Sequence, residues 1–471
     1  MAAATPSAAA SPARAPPLHI VIASLGTRGD TQPFAALGLH LQRRGHRVTL
    51  ATEARMEAFV RGLGLGWARI AGDSVGAMLQ PDFFELMAAD ARWIGVLGAF
   101  LKQKARWERK QELEGVAKAD VLRSYEAALA GADVVVSGTF TTMATFCVAE
   151  STGARWVPIV LQSLFSPTAE YANALTGPLG LGCRCLNKFT HNLMLQAAWD
   201  DERAEVQKWR EEALSLAPVR DALGVFGIIH LLGVPLIVAC SSLCFGPRRA
   251  VPDDISRGTE VGGFIFMPSD DNRQVDQRAT AFLARAKADG APVVYIGFGS
   301  MAAKPAALLA MAAEICTRAR CRAVIVAGWT QLDVAAVGGS DDILIVGDVP
   351  HDWLFPRVRC VVHHAGIGTM AAALRAGVPQ VPMPFIIDQP MNAALLVRLG
   401  VAPAAVPLVG ATGASVAAAV ARALDEKQPF AAAARRVGDF VRAESAGALD
   451  RSANIIEGAR PWSEDSLPVT N

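Results

Sequence analysis

Short apolar runs recur along this chain, each followed by a turn and then by residues with helical spacing. The run Leu18 to Ser24 leads into Gly26-Thr27-Arg28-Gly29-Asp30. From Pro33 to Arg44, Phe34, Leu37 and Leu41 fall on one helical face, Gly45 stops the pattern, and Arg47 to Ala51 reads as a second strand. That is the opening of a strand–helix–strand unit. Asp133 to Ser137 and Trp156 to Leu161 predict further buried strands, with helices between Ala91 and Ala130. The alternation restarts at Pro292 to Ile296 and continues through Ala323 to Ala327, Ile343 to Val346, Val358 to Val362 and Gln380 to Met383. Helices fit Pro305 to Arg318, Gly368 to Arg375 and Met391 to Arg398, and Ser415 to Ala459 is helical and Ala-rich.

Apolar strands alternating with helices predict an α/β chain with parallel sheets covered on both faces. Two such series, separated by the Pro/Gly/Asp-rich stretch from Gly246, predict two doubly wound domains. Ligands bind such sheets at the carboxyl ends of the strands, so the two domains face each other across a cleft. The expected division is a disordered leader over 1–17, a first domain over 18–245, a linker over 246–262, a second domain over 263–425, C-terminal helices over 426–460 and a tail over 461–471.

Composition narrows the function. Of 471 residues, 52% are hydrophobic and 19% charged, which excludes a disordered chain. Lys plus Arg is 45 against 44 for Asp plus Glu, so no field favours nucleic acid. The eight cysteines are scattered with no CxxC pair, and only Cys183/Cys185 and Cys240/Cys244 are close. They are expected to be reduced and mostly buried, as in a cytoplasmic protein. Residues 1–17 lack the apolar core of a secretory signal. The uncharged run Val225 to Phe245 is broken by Gly227, His230, Gly233 and Pro235, and reads as a buried helix tip feeding a strand from Pro235 to Cys240. No D-x-D and no histidine pair at i, i+4 spacing occur, so no metal is expected.

The strongest local constellation is Val361-Val362-His363-His364-Ala365-Gly366-Ile367-Gly368-Thr369. A buried strand runs into a glycine-bearing turn and then a helix, whose unpaired N–H groups favour a phosphate. A rival is a dinucleotide fingerprint, Gly366-x-Gly368-x-x-Ala371 with Asp388 further on, which would make the protein an NAD(P)-dependent oxidoreductase. Gly72-Asp73-Ser74-Val75-Gly76 matches a hydrolase nucleophile elbow in pattern, without a long strand before it. Asp30 sits where a general base would be placed, at the carboxyl edge of the first strand; its competing role is a helix cap before Pro33.

Together these residues resemble the sterol-type glucosyltransferases and related bacterial enzymes. Gly26-Thr27-Arg28-Gly29-Asp30-Thr31-Gln32-Pro33-Phe34 resembles their GTRGDVQPF opening, Val349 to Pro356 their VPHDWLFP stretch, His363 to Thr369 their HHGGAGT, and Asp388-Gln389-Pro390 their DQP. The resemblance implies the GT-B fold, two Rossmann-like domains with the active site between them. It further implies inverting transfer of a hexose from a nucleotide diphosphate sugar, UDP-glucose first, to a hydroxyl of a hydrophobic acceptor such as a sterol, with no bound metal and no cofactor. Asp30 would then be the base. His364, Gly366, Gly368 and Thr369 would hold the diphosphate, with Ser300 reaching the same phosphates. Val349 would meet the nucleobase through its backbone, and Asp388 and Gln389 would bind sugar hydroxyls.

Two departures keep alternatives open. The glutamate that plant relatives place eight residues after the histidine is Ala372, so UDP and dTDP donors both remain. Pro390-Met391-Asn392 resembles macrolide and rhamnolipid transferases, and Ala365 replaces a family glycine. A nucleotide-sugar binding protein without catalysis is a third class. The apolar segment Trp93 to Leu101 suits a greasy acceptor or peripheral membrane contact, or equally an ordinary core helix.

Overall fold

A computed structural model describes residues 16–80, 93–179, 183–268, 275–298, 305–326, 340–347 and 349–461. The first sheet has seven parallel strands: β1 (His19–Ala23), β2 (Arg47–Glu53), β3 (Gly66–Ile70), β4 (Val134–Ser137), β5 (Arg155–Val160), β6 (Leu236–Val238) and β7 (Thr259–Val261), in the order β3-β2-β1-β4-β5-β6-β7. The second has five: β8 (Val293–Gly297), β9 (Arg322–Val326), β10 (Ile343–Val346), β11 (Cys360–His363) and β12 (Gln380–Pro382), in the order β10-β9-β8-β11-β12. All pairings are parallel, so the helices must cross over the faces.

In the first domain the main helices are α1 (Arg28–Arg43), α2 (Trp93–Leu113), α3 (Lys118–Ala128), α4 (Thr142–Thr152), α5 (Arg184–Glu212) and α6 (Gly224–Leu232). In the second they are α7 (Gln277–Ala288), α8 (Pro305–Ala319), α9 (Ile367–Ala376), α10 (Gln389–Arg398) and α11 (Gly413–Leu424), followed by α12 (Phe430–Ser445) and α13 (Ala448–Gly458). The inner strands β1, β4, β5, β8 and β11 are buried on both faces, which is why they read as near-continuous apolar runs, whereas the outer strands β3 and β7 are partly exposed. Ile20 and Ile22 of β1 pack with Leu37 and Leu41 of α1, while Val21 and Ala23 share the opposite core with Phe146 and Trp156. In the second sheet Val294 and Ile296 meet Leu308 and Ile315, and Val293 and Tyr295 meet Leu354 and Phe355.

Several expectations are revised. α1 begins at Arg28, ahead of Pro33, because Thr27 caps it and Asp30 completes a capping box. The stretch 246–262 is not free chain: it carries β7, which extends the first sheet through β6. Phe264 and Ile265 are buried in the first domain's two cores, so the crossing to the second domain begins later than the composition suggested. The helices over 426–460 do not form one unit. α12 packs on α9, whereas Ala448, Ala453 and Ile456 of α13 lie in the core beside α1. Glu457 there pairs with Arg44 and His46 at 2.8 Å each, and Asp450 pairs with His40 at 2.9 Å. The thiols are mostly buried, as expected: Cys147, Cys240, Cys316, Cys321 and Cys360 are buried, Cys244 is half-buried, and Cys183 and Cys185 are exposed. The run from Val225 forms the tip of α6 and then β6, and no described helix is long and apolar enough to cross a membrane. The leader lies outside the described residues up to position 15, as does the tail after Pro461.

The α9–α12 contact is close enough to exclude side chains. A Cβ on Gly438 would stand 2.9 Å from both the Gly377 Cα and the Leu374 carbonyl, and backbone atoms cannot turn away. Gly438→Ala is therefore expected to destabilise the protein by about 1–2 kcal/mol, overpacking outweighing the better helix propensity, as measured by denaturant unfolding.

Candidate active site

The strand order reverses between β1 and β4 in the first sheet and between β8 and β11 in the second. Loops leaving neighbouring strands at such a point diverge to opposite faces and open a crevice. The two crevices face one cleft of about 2800 Å³, lined by Asp30, His364, Gly366, Gly368, Thr369 and Asp388 among others. Six of the nine residues singled out from the sequence thus meet where both topologies direct a ligand. Val349 and Gln389 also reach this cleft, while Ser300 lies outside the described residues.

On the first-domain side, the turn after β1 is built around Asp30. Its Oδ2 accepts the Thr27 N–H at 2.7 Å and the Thr27 hydroxyl at 3.0 Å, and Thr27 Oγ1 in turn accepts the Gly29 N–H at 3.2 Å. A Cβ on Gly26 would lie 2.5 Å from the same carboxylate, and Gly26 has φ +115°, so the turn requires glycine. Asp30 is therefore a capping residue in fact, at the third helical position rather than as the N-cap itself. Burial pushes its carboxyl above the usual carboxylate range, against the lowering by Thr27. A more basic carboxylate opening onto the cleft suits proton abstraction, so the cap and the base are compatible roles.

On the second-domain side, β11 delivers His363 and His364 into the turn that starts α9. His363 is fully buried. Its Nδ1 accepts the Ala365 N–H at 3.1 Å and its Nε2 lies 2.8 Å from Gln380 Oε1, which fixes a neutral ring carrying its proton on Nε2. Burial pushes it down to about 3. His364 is pushed down to about 4 by burial and by His351, and its buried Nδ1 has no hydrogen-bond partner among the described residues. Its Nε2 stands 2.3 Å from where a Gly366 Cβ would be, so this imidazole lies against the helix start. The first helical bond of α9 runs from the Met370 N–H to the Gly366 carbonyl at 3.0 Å. The N–H groups of Ile367, Gly368 and Thr369 precede that ladder, and no side chain among the described residues caps them. Three orphan donors with a neutral histidine beside them have the chemistry to receive an anion.

Other expected roles change. Gln389 uses its Oε1 to accept the Phe385 and Ile386 N–H groups at 2.9 and 3.1 Å, so that oxygen holds the loop after β12 rather than a sugar. Val349 is 2% exposed with its side chain in the core beneath β8, which leaves its main chain at the cleft. Asp388 lies beyond β12 at the start of α10, not at a strand end, and accepts from Asn392 and from Gln162 of the first domain. A ribose-binding acid would end the strand after the glycine turn, so the dinucleotide fingerprint loses its acidic member. Ser74 gives its N–H and hydroxyl to Glu53 at 2.5 and 3.1 Å and is followed by a short 3-10 turn, which is not a nucleophile elbow. Trp93 to Leu101 belongs to α2, but of its side chains only Ala99 and Leu101 are described; Leu101 is exposed and lines the cleft.

Sequence reasoning missed Gln162, His351 and Trp107. Gln162 had a signal: it is the polar residue directly after a buried strand, at the carboxyl edge. His351 stacks on Phe355 at 4.4 Å with Tyr295 at its edge, and Trp107 covers Gly76, whose Cβ would fall 2.0 Å from its ring. His351 and Phe355 stand four residues apart in the Val349 to Pro356 stretch, a helical spacing that was there to be read, whereas the Trp107 contact with Gly76 has no local pattern. Ala365 and Ile387 both hold positive φ, +66° and +55°, beside the cleft. A β-branched residue there is an outlier, and such strain gathers at functional sites.

Burial pushes the Asp388 carboxyl up to about 6, against its hydrogen bonds from Gln162 and Asn392, and the nearby Asp30 adds to the rise. The folded state then holds this proton more tightly than the unfolded chain. Its stabilising contribution is full below the unfolded value near 4 and is lost as pH rises through about 6. Asp388→Asn should raise the melting temperature at pH 8, by the equivalent of about 1–3 kcal/mol, with the gain shrinking toward pH 4 in a melting series.

Residues 20–114 match the glycosyltransferase family 28 N-terminal domain. Residues 322–447 match the C-terminal domain of erythromycin biosynthesis protein CIII-like proteins. A sterol 3-beta-glucosyltransferase of Arabidopsis thaliana is 30% identical over 397 residues, 83% of this chain and 61% of that protein. A sterol 3-beta-glucosyltransferase of Candida albicans is 30% identical over 390 residues, 81% of this chain but 24% of that protein. The chain thus spans about a quarter of the length of the fungal relatives it matches. Among solved structures, the glycosyltransferase VinC in complex with dTDP superposes with a TM-score of 0.58 at 19% identity, covering 93% of this chain and 100% of VinC. The chain therefore has the GT-B fold, with a first domain similar to the glycosyltransferase family 28 N-terminal domain, a second similar to the erythromycin biosynthesis protein CIII-like C-terminal domain, and sequence similarity to sterol 3-beta-glucosyltransferases.

Proposed function

We propose that this protein transfers glucose from UDP-glucose to the hydroxyl of a sterol or similar hydrophobic acceptor, with inversion and without a metal. The observation that carries the reading is the meeting of the Asp30 turn with the α9 helix start: a Cβ on Gly368 would lie 3.6 Å from the Gly29 Cα of the other domain. A base on one wall and an anion site on the other suit a single displacement. Asp30 takes the acceptor's proton as its oxygen attacks the anomeric carbon. The bond to the diphosphate breaks on the opposite face, and the leaving charge meets the N–H groups of Ile367, Gly368 and Thr369 with His364 beside them. Val349 offers its main chain to the base of the nucleotide, and Asp388 an acceptor for sugar hydroxyls. Ser300, from its place after β8 in sequence, joins the phosphates.

The sterol glucosyltransferase relatives support glucose and a sterol-like acceptor, and the apolar side chains of Leu101, Phe140 and Leu193 at the cleft support a greasy one. These three are also exposed, which favours a cytoplasmic protein that meets its acceptor at a membrane surface. The nucleotide carried by VinC keeps dTDP-sugars in the donor screen, with mass spectrometry of the product as readout.

Two variants test the mechanism. Asp30→Asn keeps an oxygen for the Thr27 cap and loses basicity, so kcat should fall by about 10²–10⁴-fold with UDP affinity held and no loss of melting temperature. His364→Ala should weaken UDP binding and slow transfer together, because a donor aimed at the diphosphate serves both the bound and the departing nucleotide. Turnover of Asp30→Asn near the wild-type rate would strike Asp30 from the mechanism.

A further inference from the structure

Gln162 follows β5 at the carboxyl edge of the first sheet, and none of the steps above uses it. Its Nε2 donates across the cleft to Oδ2 of Asp388. The same oxygen accepts Asn392 Nδ2 at 2.7 Å, and Asn392 Nδ2 also donates to the Ala365 carbonyl at 2.9 Å. Asn392 is 1% exposed and Ala365 fully buried. One unbroken path of hydrogen bonds therefore runs from the first sheet to the turn that begins α9.

The far end of the path is the part that needs support. Ala365 holds φ +66°, a left-handed conformation that costs an L-residue about 1–2 kcal/mol, and it persists only where its surroundings fix it. The His363 ring fixes its N–H and Asn392 fixes its carbonyl. Asn392 can serve Ala365 only while its amide is held, and the carboxylate of Asp388 holds it. Gln162 contributes the donor to that carboxylate from outside the domain. If the domains part, this donor leaves with the first sheet while every other member of the path stays with the second.

We propose that Gln162 is a positioning residue that couples closure of the cleft to the shape of the diphosphate turn, through Asp388, Asn392 and Ala365. The identity of the anion rests on the sugar-transfer reading; the path itself does not. Closure on a donor then shapes the turn that grips it, and opening loosens the grip on the leaving nucleotide.

Hydrogen exchange on the full chain without ligand tests the coupling directly. Gln162→Leu should speed exchange severalfold in peptides spanning 363–370 and 384–392, in the domain opposite the substitution, with β1 and α1 unchanged. Gln162→Glu keeps the length, replaces the donor by a carboxylate facing Asp388, and should speed it further. UDP affinity should fall by about fivefold or more in Gln162→Leu, and the loss should not add to that of Asn392→Ala. In turnover the donor KM rises while the acceptor KM holds, which a general loss of stability would not produce. Unchanged exchange in both Gln162 variants, or strictly additive losses of UDP affinity, overturns the proposal. Altered exchange in a protein that transfers no glucose supports the coupling and counts against the sugar-transfer reading alone.

Discussion

The backbones of Gly29 and Gly368 approach so closely that a single methyl group between them would already be in contact. This approach sets the distance between the two halves of the site. Gly29 belongs to the first turn of α1 and Gly368 to the first turn of α9, so two helix starts face each other across the cleft. One of them is closed by its own carboxylate. The other has no side-chain cap among the described residues. The asymmetry sets a carboxylate-closed turn against a turn whose N–H groups stay open, though both arise from the same element, a helix leaving a parallel strand.

Burial then tunes the groups that these turns carry. Asp30 and Asp388 come from opposite domains, both are raised by burial, and the nearby Asp30 adds to the rise of Asp388, while the same dry surroundings push His363 and His364 down. The cleft thus brings together carboxyls that are more basic than usual and imidazoles that are less so.

Much of this was legible from the chain. Parallel strands buried on both faces are apolar throughout, so β1, β4, β5, β8 and β11 stood out, and the turns after β1 and β11 carry glycines and polar residues that mark strand ends. The edges were harder to read. β7 has only three residues, its middle one exposed, in a stretch whose composition resembles a linker, and its pairing with β6 is a tertiary fact. The split allegiance of α12 and α13 was equally hidden, since an Ala-rich amphipathic helix does not say which domain it covers. The duties of Gln389, Asn392 and Gln162 depend on partners far away in sequence or on loop geometry. A residue type that can bind either a sugar or a backbone amide gives no local sign of which it does.

The chain passes between the domains twice, after Ile265 and again between α12 and α13. The two passages lie side by side: a Cβ on Gly263 would stand 3.0 Å from the Glu444 carbonyl, and Arg451 donates to the carbonyls of Gly262 and Glu444 at 2.6 and 2.8 Å. A single passage would act as a swivel and let the domains rotate about it. Two adjacent passages stapled by one guanidinium act as a door hinge, which bends about one axis and resists torsion. A cleft opened on such a hinge closes again with Gly29 opposite Gly368 and with Gln162 opposite Asp388.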